Sequence, residues 1–106
     1  EDFEEIEYFW IVKEAKNVLV ILDDDHTCDH VYKELLAYSK YVSLNSYLLV
    51  EDSNINGHPV YPEFGPGPFE AIEKFLPQQH SFIIDKSKEK FYMTFNPNGY
   101  LKKVKE

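Results

Sequence analysis

Residues 17–22 read N-V-L-V-I-L and stop abruptly at Asp23, Asp24 and Asp25. An unbroken apolar run of strand length with β-branched content has no polar face to offer water. It therefore predicts a strand buried on both faces, as in a parallel sheet. Residues 46–50, S-Y-L-L-V, repeat the pattern and stop at Glu51 and Asp52. Between the two runs, Val31, Leu35, Tyr38 and Val42 share one face of a helix over residues 29–41, with Thr27 or Asp29 placed to cap it. Strand, helix and strand in so short a span form a βαβ unit, whose right-handed crossover leaves the strands parallel.

The remaining chain continues this α/β pattern. Residues 53–67 hold Asn54, Asn56, Gly57, Pro59, Pro62, Gly65, Pro66 and Gly67, too many breakers for a regular element, and predict a long loop. Pro68 suits a first helical position, and Phe69, Ile72, Phe75 and Leu76 give the next helix a buried stripe up to Pro77. Residues 81–85 and 91–96 read as strands joined by the Lys-rich turn 86–90. That predicts an antiparallel hairpin at the end of a mostly parallel sheet. Pro97, Asn98 and Gly99 close it, and residues 101–106 read as a charged tail. At the other end, Phe3, Ile6, Phe9, Trp10 and Lys13 have helical spacing over residues 2–15, while residues 8–12 allow a strand instead.

Composition narrows the function. The 106 residues allow one domain at most. The charge is acidic, 19 Asp and Glu against 11 basic residues, all Lys. Without a basic footprint or Arg forks, nucleic acid is excluded as a partner. Cys28 is the only cysteine, which rules out an internal disulfide and a Cys-based zinc site and suits a reducing, cytoplasmic setting. No apolar run is long enough to cross a bilayer, so no membrane partner is expected.

In open α/β sheets ligands bind beyond the carboxyl ends of the strands. Both acid clusters fall at that edge. Asp23 after the first parallel strand and Glu51 with Asp52 after the next would face one another. Three carboxylates brought together repel unless a cation or protons neutralise them, which points to a hard divalent metal, Mg²⁺ before Ca²⁺. Asp24, Asp25 and Asp29 also fit a plainer role as solvated or helix-capping acids. Asn54, Asn56 and Gly57 likewise spell a good turn.

L-D-D-D-H at 22–26, D-H-V at 29–31, S-Y-L-L-V-E-D-S-N-I-N-G-H-P-V at 46–60, G-P-G-P-F-E-A-I at 65–72 and F-N-P-N-G-Y-L-K at 95–102 together carry a resemblance. From about Val18 onward the chain resembles the cephalosporin hydroxylase and rhamnosyl O-methyltransferase family of S-adenosylmethionine-dependent enzymes. The resemblance implies the C-terminal part of a doubly wound, Rossmann-like methyltransferase sheet, parallel strands followed by an antiparallel hairpin. It also implies Mg²⁺ on Asp23, Glu51 and Asp52, with Asp24 and Asp25 near the S-adenosylmethionine cofactor. In the similar catechol-type enzymes a lysine base stands three residues after the first metal ligand. This chain has His26 there, and a neutral imidazole can accept a hydroxyl proton at neutral pH; the plainer role for His26 is to hydrogen-bond a carboxylate or cap the helix. Asn54, Asn56 and His58 are the implied lining of the acceptor pocket. A sugar or another small hydroxylated molecule would meet the metal chemistry equally well.

The resemblance begins at what would be the fourth strand of such a sheet, with no Gly-rich cofactor turn upstream of Val18. Residues 1–106 are therefore expected to be a single partial domain of a longer enzyme, inactive alone. The open edge of the 17–22 strand is expected to favour homo-oligomers. Three rival readings remain. A receiver domain needs an acceptor Asp after two further strands, and Asp52 comes one strand early. A glycosyltransferase D-x-D site of Asp23 with Asp25 leaves Glu51 and Asp52 unexplained. A non-catalytic interaction module would use the loop around Phe64. Hydroxylation is disfavoured, since His26, His30, His58 and His80 are scattered and form no two-His iron triad.

Overall fold

The computed structural model describes residues 18–23, 25–89 and 94–106, together with the backbone of residues 10–11. In chain order the elements are β1 (Trp10–Ile11), β2 (Val20–Leu22), α1 (Cys28–Tyr38), β3 (Tyr47–Val50), α2 (Pro68–Phe75), β4 (Phe82–Ile84) and β5 (Tyr100–Lys103). Single 3₁₀ turns lie at Ser39–Tyr41, Leu76–Gln78 and Lys86–Lys88.

The strands form one mixed sheet in the order β1-β2-β3-β5-β4. β2 and β3 are parallel and joined through α1, as the two apolar runs predicted. β5 runs antiparallel to both β3 and β4. Register explains the layering. Val20 sits beside Leu48, Leu48 beside Leu101, and Leu101 beside Ile84, so one row of apolar side chains crosses the sheet on a single face. Val31, Leu35 and Tyr38 of α1 and Ala71, Ile72 and Phe75 of α2 complete the buried core with that face. Two crossovers of one hand running the same way along a sheet place both helices on one side.

The other face is less covered than a doubly buried strand requires. Ile21 and Leu49 are half-buried, and Ile83 is 51% exposed. The continuous apolar run of β2 is thus only partly used by the described residues.

Three expectations change. Among the described residues β4 pairs antiparallel with Tyr100–Lys103; of the strand expected at 91–96, residues 94–96 are irregular and residues 91–93 lie outside the described residues. The stretch read as a charged tail is consequently β5, inserted between β3 and β4. Its period of two was hidden because Lys103 points inward, where its stem is buried and its Nζ donates to the Val42 carbonyl at 2.9 Å. The edge of β2 expected to be open is paired by β1, Trp10 against Ile21 and Ile11 against Val20. The expectation of homo-oligomers through that edge loses its basis there. It also favours the strand alternative over the helix at residues 10–11; the rest of that predicted helix lies outside the described residues.

Local chemistry explains the helix starts. Thr27 occupies the N-cap of α1 but makes no side-chain cap bond; Asp25 Oδ1 instead accepts the Thr27 N–H at 2.9 Å. The Cys28 N–H, which lacks a helical acceptor, donates to the Pro66 carbonyl at 3.0 Å and ties α1 to the Gly-Pro loop. In α2, Pro68 opens the helix and Glu70 reaches back to the Gly67 N–H at 2.8 Å.

If β5 is a core strand, Leu101→Ala should destabilise the protein by about 2 to 5 kcal/mol, as for other buried leucines. Lys105→Ala, beyond the strand, should change stability by less than about 0.5 kcal/mol. Urea unfolding of the variants checks this, and equal midpoints would return residues 101–106 to the status of a tail.

Candidate metal and acceptor site

The carboxyl ends of β2 and β3 lie side by side, since the Glu51 N–H continues the parallel ladder by donating to the Leu22 carbonyl at 3.1 Å. Asp23 follows β2 directly, and Asp52 follows β3 by one residue. Asp52 takes a left-handed backbone conformation, φ 60°, which Asp tolerates better than most residues. Its N–H donates to Asn96 Oδ1 at 2.8 Å. Its carboxylate meets His26, Oδ2 to Nε2 at 3.1 Å.

Asp23, His26 and Asp52 each present a donor atom within 4.8 Å of the others'. Glu51 lies outside that group but close enough to feel it. Burial pushes its carboxyl above the usual range, the Asp23 and Asp52 charges push it the same way, and His26 opposes them. Two carboxylates converging at adjacent strand ends offer oxygen ligands to a divalent cation such as Mg²⁺, and the imidazole beside them is placed either to join as a ligand or to act as a base. Asp25 is not part of this group, so Asp23 and Asp25 do not form a D-x-D pair in it; the Thr27 N–H holds the Asp25 carboxyl below the usual range, against partial burial. Asp24 lies outside the described residues.

Beside the acids, the 53–67 loop and the 94–100 segment enclose a cavity of about 570 Å³. Asn54 and His58 line it together with Val60, Phe95, Asn96 and Tyr100. Asn54 is only 6% exposed, and its side-chain amide has no hydrogen-bond partner among the described residues. Asn56, the third residue expected there, does not line the cavity; its Oδ1 accepts the Gly65 N–H at 3.0 Å and holds the loop together. His58 is stacked on Phe69, centroids 3.7 Å apart, and its Nε2 faces Glu70 Oε2 at 2.7 Å.

Phe95 and Asn96 were missed as site residues. They belong to F-N-P-N-G, which reads as turn chemistry. Phe95 is 74% exposed at the cavity mouth, where an exposed ring offers apolar surface to a ligand. The histidines do not converge: His26, His30 and His58 each face a separate carboxylate, on Asp52, Glu34 and Glu70.

The model of the family described as Rhamnosyl O-methyltransferase/CmcI matches residues 4–104. The chain belongs to this family. A rhamnosyl O-methyltransferase of Mycobacterium bovis (strain BCG / Pasteur 1173P2) is 48% identical over 86 residues, which cover 79% of this chain and 35% of the relative. One from Mycobacterium tuberculosis (strain ATCC 25618 / H37Rv) matches to the same extent. One from Mycobacterium leprae (strain TN) is 42% identical over 87 residues, 79% of this chain and 38% of the relative. The chain thus spans little more than a third of the length of these relatives. No solved structure matches it. Among the described residues no helix is long and apolar enough to cross a membrane.

The His58–Glu70 contact has a pH signature. Burial raises the Glu70 carboxyl, but the Gly67 N–H and His58 outweigh it and leave it below the ordinary glutamate range. A carboxyl held low contributes stability that is full above its unfolded value and is lost as pH falls through the folded one. Wild-type protein should therefore lose stability more steeply than Glu70→Gln on acidification from about pH 5 to about pH 3. Thermal melts across that range check it, and parallel curves would remove Glu70 as the cause.

Proposed function

We propose that this chain is the C-terminal part of a doubly wound, Rossmann-like methyltransferase domain, with the Gly-rich cofactor half in another segment of a longer protein. That protein transfers a methyl group from S-adenosylmethionine to a hydroxyl of a sugar or small molecule, assisted by Mg²⁺. The observation that carries the reading is the convergence of Asp23, His26 and Asp52 at the ends of adjacent parallel strands, in a member of a family named for O-methyltransferases. The relatives' name supports a sugar acceptor. The shared third of the relatives' length, and the half-covered second face of the sheet, support a partial domain.

Asp23, Glu51 and Asp52 would hold the cation, which when bound supplies Lewis-acid polarisation of the acceptor hydroxyl. Glu51, carrying the elevated carboxyl, sheds its repulsion with Asp23 and Asp52 once positive charge lies between them. His26 Nε2 would accept the proton of the acceptor hydroxyl, leaving its oxygen to take the methyl group that S-adenosylmethionine would supply when bound. Asp24 and the Asp25 backbone are assigned to the cofactor. Asn54 offers its unpartnered amide to an acceptor hydroxyl, His58 closes the same cavity, and Phe95 carries the acceptor's apolar face.

The test is calorimetric titration of Mg²⁺ and S-adenosylmethionine into the full-length protein. Asp23→Asn and Asp52→Asn should abolish Mg²⁺ binding and methyl transfer while S-adenosylmethionine still binds. His26→Ala should lower kcat by about 100-fold or more with the metal retained, the usual share of a general base. A full-length protein that binds neither ligand would sink the reading and leave the interaction module as the reading to pursue.

A further inference from the structure

The cavity and the acid group share a residue. Asn96 Oδ1 accepts the Asp52 N–H at 2.8 Å, the bond that accompanies Asp52's left-handed backbone. The same side chain lines the cavity, and its Nδ2 faces the Tyr100 hydroxyl there at 3.4 Å. Asn96 is itself held on its main chain, its N–H by Thr94 Oγ1 at 3.0 Å and its carbonyl by the Gly99 N–H at 2.9 Å. Neighbouring bonds bind the same turn to the strand end: the Asn54 N–H donates to the Phe95 carbonyl and the Ser53 hydroxyl to the Pro97 carbonyl.

We propose that Asn96 is a positioning residue: through its side-chain oxygen it sets the backbone of Asp52, and so aims the Asp52 carboxylate at the cation and at His26 from the wall of the acceptor cavity. This rests on the reading of Asp52 as a metal ligand. Asn96 touches no reacting atom; it acts through Asp52. A left-handed Asp has alternatives close in energy, and a single carboxylate swung aside by such a backbone flip leaves the group with too few donors. Partners that orient a metal's ligands commonly matter about as much as 10- to 100-fold in metal affinity or activity. The cavity side of Asn96 adds a consequence: a group filling the cavity against Nδ2 braces the oxygen that holds Asp52, so acceptor and cation sites are coupled through one amide.

The experiment uses the full-length protein with Mn²⁺ as a spectroscopic probe, its dissociation constant and bound spectrum read by electron paramagnetic resonance. Asn96→Leu keeps the volume and removes the oxygen; it should weaken Mn²⁺ binding by about tenfold or more and alter the bound spectrum. Asn96→Asp keeps an acceptor oxygen and should bind Mn²⁺ at least as tightly as wild type. Asn98→Gly, in the same turn but away from Asp52, should leave the dissociation constant unchanged. In steady state, Asn96→Leu should lower kcat more than it raises KM for the cofactor. Should Asn96→Leu not fold, Asn96→Ala replaces it, and Asn96→Asp decides by itself, since a tenfold loss there overturns the proposal. Wild-type affinity in Asn96→Leu overturns it too, as does an equal loss in Asn98→Gly. Wild-type protein that takes up no Mn²⁺ removes the metal reading itself, a failure separate from any ranking among the variants.

Discussion

The close approach of Gly99 to the end of β3 is the contact on which the remaining arrangement depends. The Val50 N–H donates to the Gly99 carbonyl at 2.8 Å, and a Cβ at Gly99 would lie 2.3 Å from the Val50 carbonyl oxygen. No side chain fits there, so the turn of residues 96–99 can press against the strand end only with glycine at this position. That approach lets β5 enter between β3 and β4. It also brings Asn96 to Asp52 and the Phe95 carbonyl to Asn54. The sheet order and the geometry of the acid group thus share one steric condition.

Electrostatics then sets what the strand ends can do. Asp23, Glu51 and Asp52 are drawn toward one another by a parallel pairing that gains its energy from the apolar row beneath, not from the acids. Burial raises the Glu51 carboxyl first, and the charges of Asp23 and Asp52 add to it. His26 relieves part of it from just before α1, where the Gly67 turn comes so close that a Cβ at Gly67 would lie 3.2 Å from the His26 carbonyl oxygen. Apolar burial supplies the positioning, and the crowded acids supply affinity for a positive charge.

The βαβ unit, the long loop and α2 were legible because period and punctuation agree there: the apolar runs end at acids, and Pro68 opens a helix whose stripe ends at Pro77. The acids of the candidate site were legible for the same reason, lying at strand ends where the unit's own topology puts them. β5 was not, because only Leu101 of its inward residues is apolar, and Lys103 satisfies its charge far along the chain at Val42. The contribution of Asn96 was invisible for a related reason. A turn residue's sequence says how it bends locally, while its bond to Asp52 spans 44 positions. Asn56 illustrates the converse, since its type suited ligand binding but the loop's own N–H at Gly65 claims it.

The strand order also has a bearing on synthesis. Among the described residues β4 is joined to the sheet through β5, which is made after it, and β5 also pairs with β3, made some fifty positions earlier. On a ribosome, β2, α1 and β3 can assemble as they emerge, but β3 must keep one edge unoccupied until residues 96–103 have left the exit tunnel. The sheet therefore closes from its middle and late. A nascent chain paused before Gly99 would carry the acid pair of β3 without the turn that orients it.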